Sequence, residues 1–241
     1  MTHGRIELGC DTGEASTDAA RAQERALLEH VSAVSIACGG HAGDADSMRA
    51  VVRDARERGC AIGAHPSYPD RAGFGRTSMA MEEVDLLDAV AGQVASLAAV
   101  CAELGTRIAF VKPHGALYHD ISRDPGLALS IARRFAEIAP GAAMVGPIGA
   151  PAMDAWENTG TATLCEGFAD RMYESDGSLR RRSLPGALIG DPEIAAAQAL
   201  RLAPSCAMLC VHGDSPDAVA IASAVRAALE SNGYAVGGVL D

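Results

Sequence analysis

Four histidines stand near the ends of apolar runs. SIACGGHAGD reaches His41, AIGAHPSYPD reaches His65, IAFVKPHGALY reaches His114 and CAMLCVHGDSP reaches His212. A lone histidine beside apolar residues is ordinarily a satisfied core or turn residue. Four delivered in the same way need a common cause, and imidazoles gathered in one place can move protons or hold a metal. Asp11 and Glu14 in CDTGE end the first apolar run, where paired carboxylates suit acid–base work or a metal. The alternative for Asp11 is a cap on the following turn. Lys112 is the only lysine among 20 Lys and Arg residues. At a partly desolvated strand end it can hold a carboxylate or polarise a carbonyl; otherwise it simply reaches solvent. Asp170 and Arg171 in FADR either face a ligand or pair with each other. Asp214 either orients His212 or caps the last helix.

Other motifs are weaker. One Asp and two His on neighbouring strand ends would make an open metal site. Yet the chain has no H-x-x-x-H or H-E-x-x-H, so no tightly bound structural zinc is expected and the metal question stays open. DRAGFGR (Asp70 to Arg76) has a G-x-G between arginines that could cradle an anion. Arg180-Arg181-Arg182 reads as a solvated surface ahead of an anion site. The only lysine follows Val111, so a G-x-x-x-x-G-K-[ST] nucleotide loop is excluded.

The elements that must position these residues alternate regularly. RIELGCD precedes a helical stretch from about Thr17 to Val31. AVSIACGG precedes DADSMRAVVRDARERG, in which Met48, Val51, Val52 and Ala55 share one face at helical period. Gly59 ends that helix. CAIGAH leads through a Pro/Gly-rich loop to a long helix from about Met81 to Leu104, ended by Gly105. IAFVKP precedes a helix starting at Asp124-Pro125, an N-cap followed by proline at the first position. AAMVGPIG precedes a short helix around Trp156. TATLCEGFADR precedes a long polar loop and a helix from Asp191-Pro192. CAMLCVHGD precedes Ser215-Pro216-Asp217 and the final helix.

These are seven strand–helix units. The strands are continuous apolar runs, as expected of a parallel sheet buried on both faces. Asp11, His41, His65, His114, Asp170 and His212 come from six strand ends. A closed barrel gathers six such ends on one rim, whereas an open sheet uses mainly one crevice. The expectation is an α/β fold, a single-domain seven-unit (β/α) barrel over residues 1–241.

Bulk properties narrow the function classes. The 241 residues carry a formal charge of −11, which repels nucleic acid and anionic membrane surfaces. Seven cysteines without a C-x-x-C pair fit a reducing cytoplasm better than a disulfide framework. The N-terminus reaches Asp11 before a signal-type apolar region forms. No uninterrupted apolar run approaches a membrane span. A soluble cytoplasmic protein is expected.

Taken together, the motifs resemble the LamB/YcsF family of 5-oxoprolinase A subunits. CDTGE resembles the family's N-C-D-L-G-E and IACGGHAGD its I-A-C-G-F-H-A-G-D. GAHPSYPDRAGFGR, VKPHGALY, FADRMY, RSLPGA and LCVHGD follow in the family's order over nearly the whole chain. The resemblance implies a distorted TIM-like barrel of the glycoside hydrolase/deacetylase type. It implies ATP-dependent hydrolysis of the lactam amide of 5-oxo-L-proline to L-glutamate, with partner subunits B and C. ATP, with Mg as its possible companion, would be shared with those subunits. It further implies Asp11, His65, Lys112 and His114 as catalytic residues, and Glu14, His41, Asp170, Arg171, His212 and Asp214 as substrate-binding. Lys112 or Arg171 could hold the carboxylate or phosphate, and Asp11, His65 and His114 the water and the leaving nitrogen. Two other classes stay open: a stand-alone metal-dependent amide hydrolase such as a deacetylase, and a non-catalytic barrel subunit. Gly9, Thr12 and Gly40 replace the family's usual Asn, Leu and aromatic, departures that bear on the exact lactam.

Overall fold

A computed structural model of the chain describes residues 3–215 and 217–240. The first half runs β1 (His3–Thr12), α1 (Asp18–Leu27), β2 (Ala33–Ala37), α2 (Ala45–Glu57), β3 (Ala61–His65), α3 (Glu83–Glu103), β4 (Phe110–Val111), α4 (Gly115–Arg123) and α5 (Pro125–Ile138). The second half adds β5 (Ala143–Pro147), α6 (Pro151–Asn158), β6 (Thr163–Phe168), α7 (Pro192–Leu202), a 3-10 turn (Ala203–Ser205), β7 (Met208–Val211), α8 (Ala218–Ser231) and β8 (Tyr234–Val236).

Strands β1 to β7 are parallel neighbours in the order β2-β3-β4-β5-β6-β7-β1, and the β1–β2 pairing closes the ring. All seven strands therefore send their C-terminal ends to one rim. Ten-residue β1 reaches below the ring, where its first residues pair with β8. This eighth strand is absent from the sequence expectation. So is α4, which starts at Gly115 directly after His114; the expected helix at Asp124-Pro125 is α5, with Asp124 as its N-cap. Pro216, placed before the last helix in that expectation, lies outside the described residues.

Local chemistry accounts for the other boundaries. Thr17, Asp44 and Asp191 each accept first-turn N–H groups at the starts of α1, α2 and α7, which satisfies donors the helix itself leaves unpaired. Met48, Val52 and Ala55 are the buried face of α2. Helix α3 is long and apolar enough to cross a membrane by length and composition, a property the run-length reading missed because Asp85, Asp88 and Gln93 interrupt it. Its residues Leu86, Val90, Val94, Leu97 and Cys101 are packed into the core between barrel and helices.

The barrel interior is layered. Ala33, Phe110, Val145, Leu164 and Met208 form an apolar plug. Phe110 needs Gly63 opposite it, since a Cβ at position 63 would lie 2.2 Å from its ring. Side chains alternate along a strand, so the next inward positions towards the rim are Asp11, His65, Lys112, Glu166 and Cys210. Apolar below and ionisable above, this alternation builds the site.

Candidate active site

The rim opens into a cavity of about 440 Å3. Every catalytic or substrate-binding residue expected from the sequence lines it except His41 and Asp170, which are buried. On its floor, the Lys112 ammonium is 3.0 Å from Asp11 Oδ1 and 2.9 Å from Glu166 Oε1, and it donates to Cys210 Sγ at 3.1 Å. Tyr118 Oη donates to Glu166 Oε2 at 3.1 Å. Lys112 is only 3% exposed, so the reading of a lysine reaching solvent is overturned, as is a capping role for Asp11. Burial alone would raise the Asp11 pKa, but His65 and Lys112 outweigh it and hold the carboxyl well below the carboxylate range. Burial pushes Glu166 up, and Lys112 only partly offsets it. Lys112 itself is held firmly charged, because Asp11 and Glu166 overcome its desolvation.

Beside this ion cluster sit three imidazoles and a carboxylate. His65 Nδ1 is 2.6 Å from the Lys112 carbonyl, and His65 Nε2 faces His114 Nδ1 at 3.0 Å. His114 Nε2 is 3.0 Å from the Phe74 carbonyl. His41 Nε2 is 2.8 Å from Glu14 Oε1, and its ring stacks on His114 with centroids 3.7 Å apart. Burial lowers His41 and His114 to about 4 and His65 well below its usual value. Burial, with the Asp11 charge adding to it, raises Glu14 to about 7.

The DRAGFGR loop backs this cluster. Arg71 donates to the Gly39 and Gly43 carbonyls, and Arg76 to Asp214. Phe74 has φ 55°, in the left-handed region that non-glycine residues rarely occupy. That conformation aims its carbonyl at His114. Gly115 must be glycine: its φ is +57°, and a Cβ would lie 2.4 Å from the Gly75 carbonyl oxygen.

The far wall corrects several pairings. Asp170 does not pair with Arg171. Its carboxylate accepts from the His212 backbone N–H at 2.8 Å and lies 2.9 Å from His212 Nδ1. Burial would raise Asp170, but the His212 ring and those bonds outweigh it, and its pKa is lowered. Asp214 neither orients His212 nor caps α8; it lies 3.2 Å from Arg76 and 2.5 Å from Arg182. Asp217 occupies the N-cap position of α8. Arg180, Arg181 and Arg182 line the cavity with Arg76, Arg123 and Arg171, so the basic run faces the site, with Arg181 exposed and Arg180 and Arg182 half-buried. Arg171 Nη2 donates to the Arg180 carbonyl, while its buried Nε–H has no partner among the described residues.

Glu166, Tyr118 and Arg123 were not anticipated, whereas Arg171 was. Glu166 did leave a signal, a charged residue inside the apolar run TLCEGF. The three departures from the family pattern sit away from the cavity lining. Gly9 lies one inward layer below Asp11, where a Cβ would make ordinary contact with Met208 at 3.6 Å. Thr12 is fully buried. The space beside Gly40 is filled by Gln93 and Ser67, whose atoms would lie 2.3–2.4 Å from a Cβ there.

Known proteins fit this geometry. The chain is 41% identical to the A subunit of the 5-oxoprolinase from Chloroflexus aggregans, over 96% of this chain and 97% of the relative. A crystal structure of a lactam utilization protein from Thermus thermophilus superimposes with a TM-score of 0.87 at 35% identity, covering 97% of this chain and 99% of that one. A family 4 carbohydrate esterase from Streptomyces lividans shares the fold alone, with a TM-score of 0.55 at 13% identity, over 99% of this chain and 94% of that one. The LamB/YcsF family model matches residues 6–240. Over nearly its whole length, the chain belongs to the LamB/YcsF family.

Proposed function

We propose that the chain is the A subunit of a 5-oxoprolinase and carries the hydrolytic site for the lactam. Water adds to the ring carbonyl of 5-oxo-L-proline and the C–N bond breaks. The carbonyl becomes the side-chain carboxylate of L-glutamate, and the ring nitrogen leaves as its amine. The substrate is small and anionic, which suits a cavity walled by six arginines. The observation that carries the reading is Arg171: a buried guanidinium on the cavity wall with one N–H unspent. An unpaired buried donor is costly, and a substrate carboxylate would satisfy it with a charge-assisted bond. Across the cavity, Glu14, His65 and His114 would hold the water, and Asp11 would carry a proton to the leaving nitrogen. Lys112 keeps Asp11 ionised and in place.

A lactam is a poor electrophile, and coupling to ATP would activate it. The arginines suit a phosphoryl group as well as a carboxylate, but the sequence holds no lysine-bearing phosphate loop. Subunits B and C are therefore assigned the completion of the nucleotide site, where Mg would accompany ATP, and the assembly is placed in the cytoplasm. The test is release of glutamate and ADP from 5-oxoproline and ATP, with and without the two subunits. The chain alone is expected to turn over neither, and the three together both. ATP-independent hydrolysis of another amide by the chain alone would replace this reading with that of a stand-alone hydrolase.

A further inference from the structure

His65 and His114 form a row between two backbone carbonyls. The row runs from the Lys112 carbonyl to His65 Nδ1, from His65 Nε2 to His114 Nδ1, and from His114 Nε2 to the Phe74 carbonyl, with distances of 2.6, 3.0 and 3.0 Å. Carbonyl oxygens only accept, so each outer contact consumes one ring N–H. Two neutral imidazoles carry two N–H groups in all. The inner contact then sets lone pair against lone pair, and moving either proton inwards only transfers the conflict to a carbonyl. One more positive centre belongs between the inner nitrogens, a proton or a metal ion.

The surroundings favour the metal. Glu14 Oε1 is 3.6 Å from His114 Nδ1, and Asp11 Oδ2 is 3.5 Å from His65 Nε2. Carboxylate oxygens thus flank the point on which the two lone pairs converge. With metal–ligand bonds of about 2.0–2.1 Å, tetrahedral ligand atoms stand about 3.3–3.4 Å apart. The spacings of 3.0 and 3.6 Å bracket that edge. The carbonyls behind both rings are the outer acceptors that fix tautomer and orientation in metal sites. His41 belongs outside the ligand set. Its ring is parallel to His114 within 6°, so no nearby point lies in both ring planes, where the lone pairs are. It holds the Glu14 carboxylate instead.

We infer that Glu14, His65 and His114 form a site for a divalent transition-metal ion facing the cavity. Two imidazoles and one carboxylate suit Zn, Mn, Fe or Co. Such an ion would supply Lewis-acid activation at the place where the lactam is proposed to react. The three ligands come from three different strand ends, so no local spacing announces them. The inference rests on ring geometry and not on the lactam assignment.

The test is elemental analysis of protein purified without chelator, together with Co2+ titration of the metal-free protein followed by visible absorption. One Co2+ per chain is expected. His114→Asn and Glu14→Gln should each weaken Co2+ binding by more than about 100-fold, beyond the usual cost of an outer-sphere change. His30→Asn, at a histidine remote from the cavity, should leave it unchanged. Should His114→Asn not fold, Glu14→Gln carries the comparison, because it preserves shape at a partly exposed position. Absence of Co2+ binding by the wild-type chain, or unchanged binding in Glu14→Gln, would overturn the site and leave a proton between the rings. None of these readouts measures catalysis, so a failure to open the lactam would not affect them.

Discussion

The Lys112 ammonium lies 2.9 Å from Glu166 Oε1, joining a lysine just past β4 to a carboxylate inside β6, and Asp11 completes the cluster at 3.0 Å. All three are buried. Two carboxylates around one ammonium are held by the barrel and not by solvent, so removing the cation leaves uncompensated buried charge. Lys112→Met should therefore destabilise the fold by about 3–5 kcal/mol. A loss confined to activity, which a purely substrate-holding lysine would give, does not fit this burial. Lys112→Met/Glu166→Gln should recover part of the loss, because one orphaned charge is gone. Urea unfolding of the two variants measures this; equal stability of Lys112→Met and wild type would refute it.

Arg171 gives a binding prediction. Its unspent Nε–H and its position on the cavity wall predict that Arg171→Gln raises KM for 5-oxoproline in the complete three-chain assembly. A lost charge-assisted bond is worth about 1.5–3 kcal/mol, or roughly 10–150-fold. Steady-state kinetics decide it. An unchanged KM would return Arg171 to a structural role in holding the Arg180 carbonyl.

Gly115 tests the loop that backs His114. Gly115→Ala would place a methyl against the Gly75 carbonyl and add strain at positive φ. A cost of about 1–3 kcal/mol is expected, with the Phe74 carbonyl displaced from His114. Thermal unfolding and the His114 ring NMR shifts report both. A variant with wild-type stability and shifts would show that the close approach is not constraining.

The pairing of Asp170 with His212 predicts a pH dependence. The folded pKa of Asp170 lies below its unfolded value of about 3.9. The unfolded chain therefore binds the proton more readily. The pair's contribution is complete above the unfolded value and is lost as pH falls through the folded one. Asp170→Asn should remove that component, so its stability should decline less between pH 5 and pH 2 (about the carboxylate range) than that of wild type. Parallel wild-type and variant curves would contradict it.

Much of this was legible in the sequence, and the omissions share causes. The seven units were readable because strands buried on both faces are continuous apolar runs, and because Asp124-Pro125 and Asp191-Pro192 mark helix starts. Strand β8 is three residues long and exists only as an addition to the overhang of β1. Helix α4 begins on a glycine at positive φ behind a histidine that makes no capping bond, so no start signal precedes it. The convergence of Asp11, His65, Lys112 and His114 followed from strand-end position alone. Their partners Glu166 and Tyr118 did not, because these join the cluster only through barrel closure. Of the two alternatives for Asp170 and Arg171, mutual pairing gave way for the same reason: Asp170 meets His212 across the β6–β7 ladder.

The central claim is that the hydrolytic rim belongs to this chain and not to its partner subunits. Its most direct test is glutamate release by the assembled enzyme carrying Asp11→Asn in this chain, with correct assembly checked by size-exclusion chromatography. Loss of a positioned acid–base group lowers rates by about 10²–10⁴-fold, and a loss of that size is predicted with assembly retained. Glutamate release at the wild-type rate from an intact Asp11→Asn complex would contradict the account and leave the barrel a non-catalytic subunit.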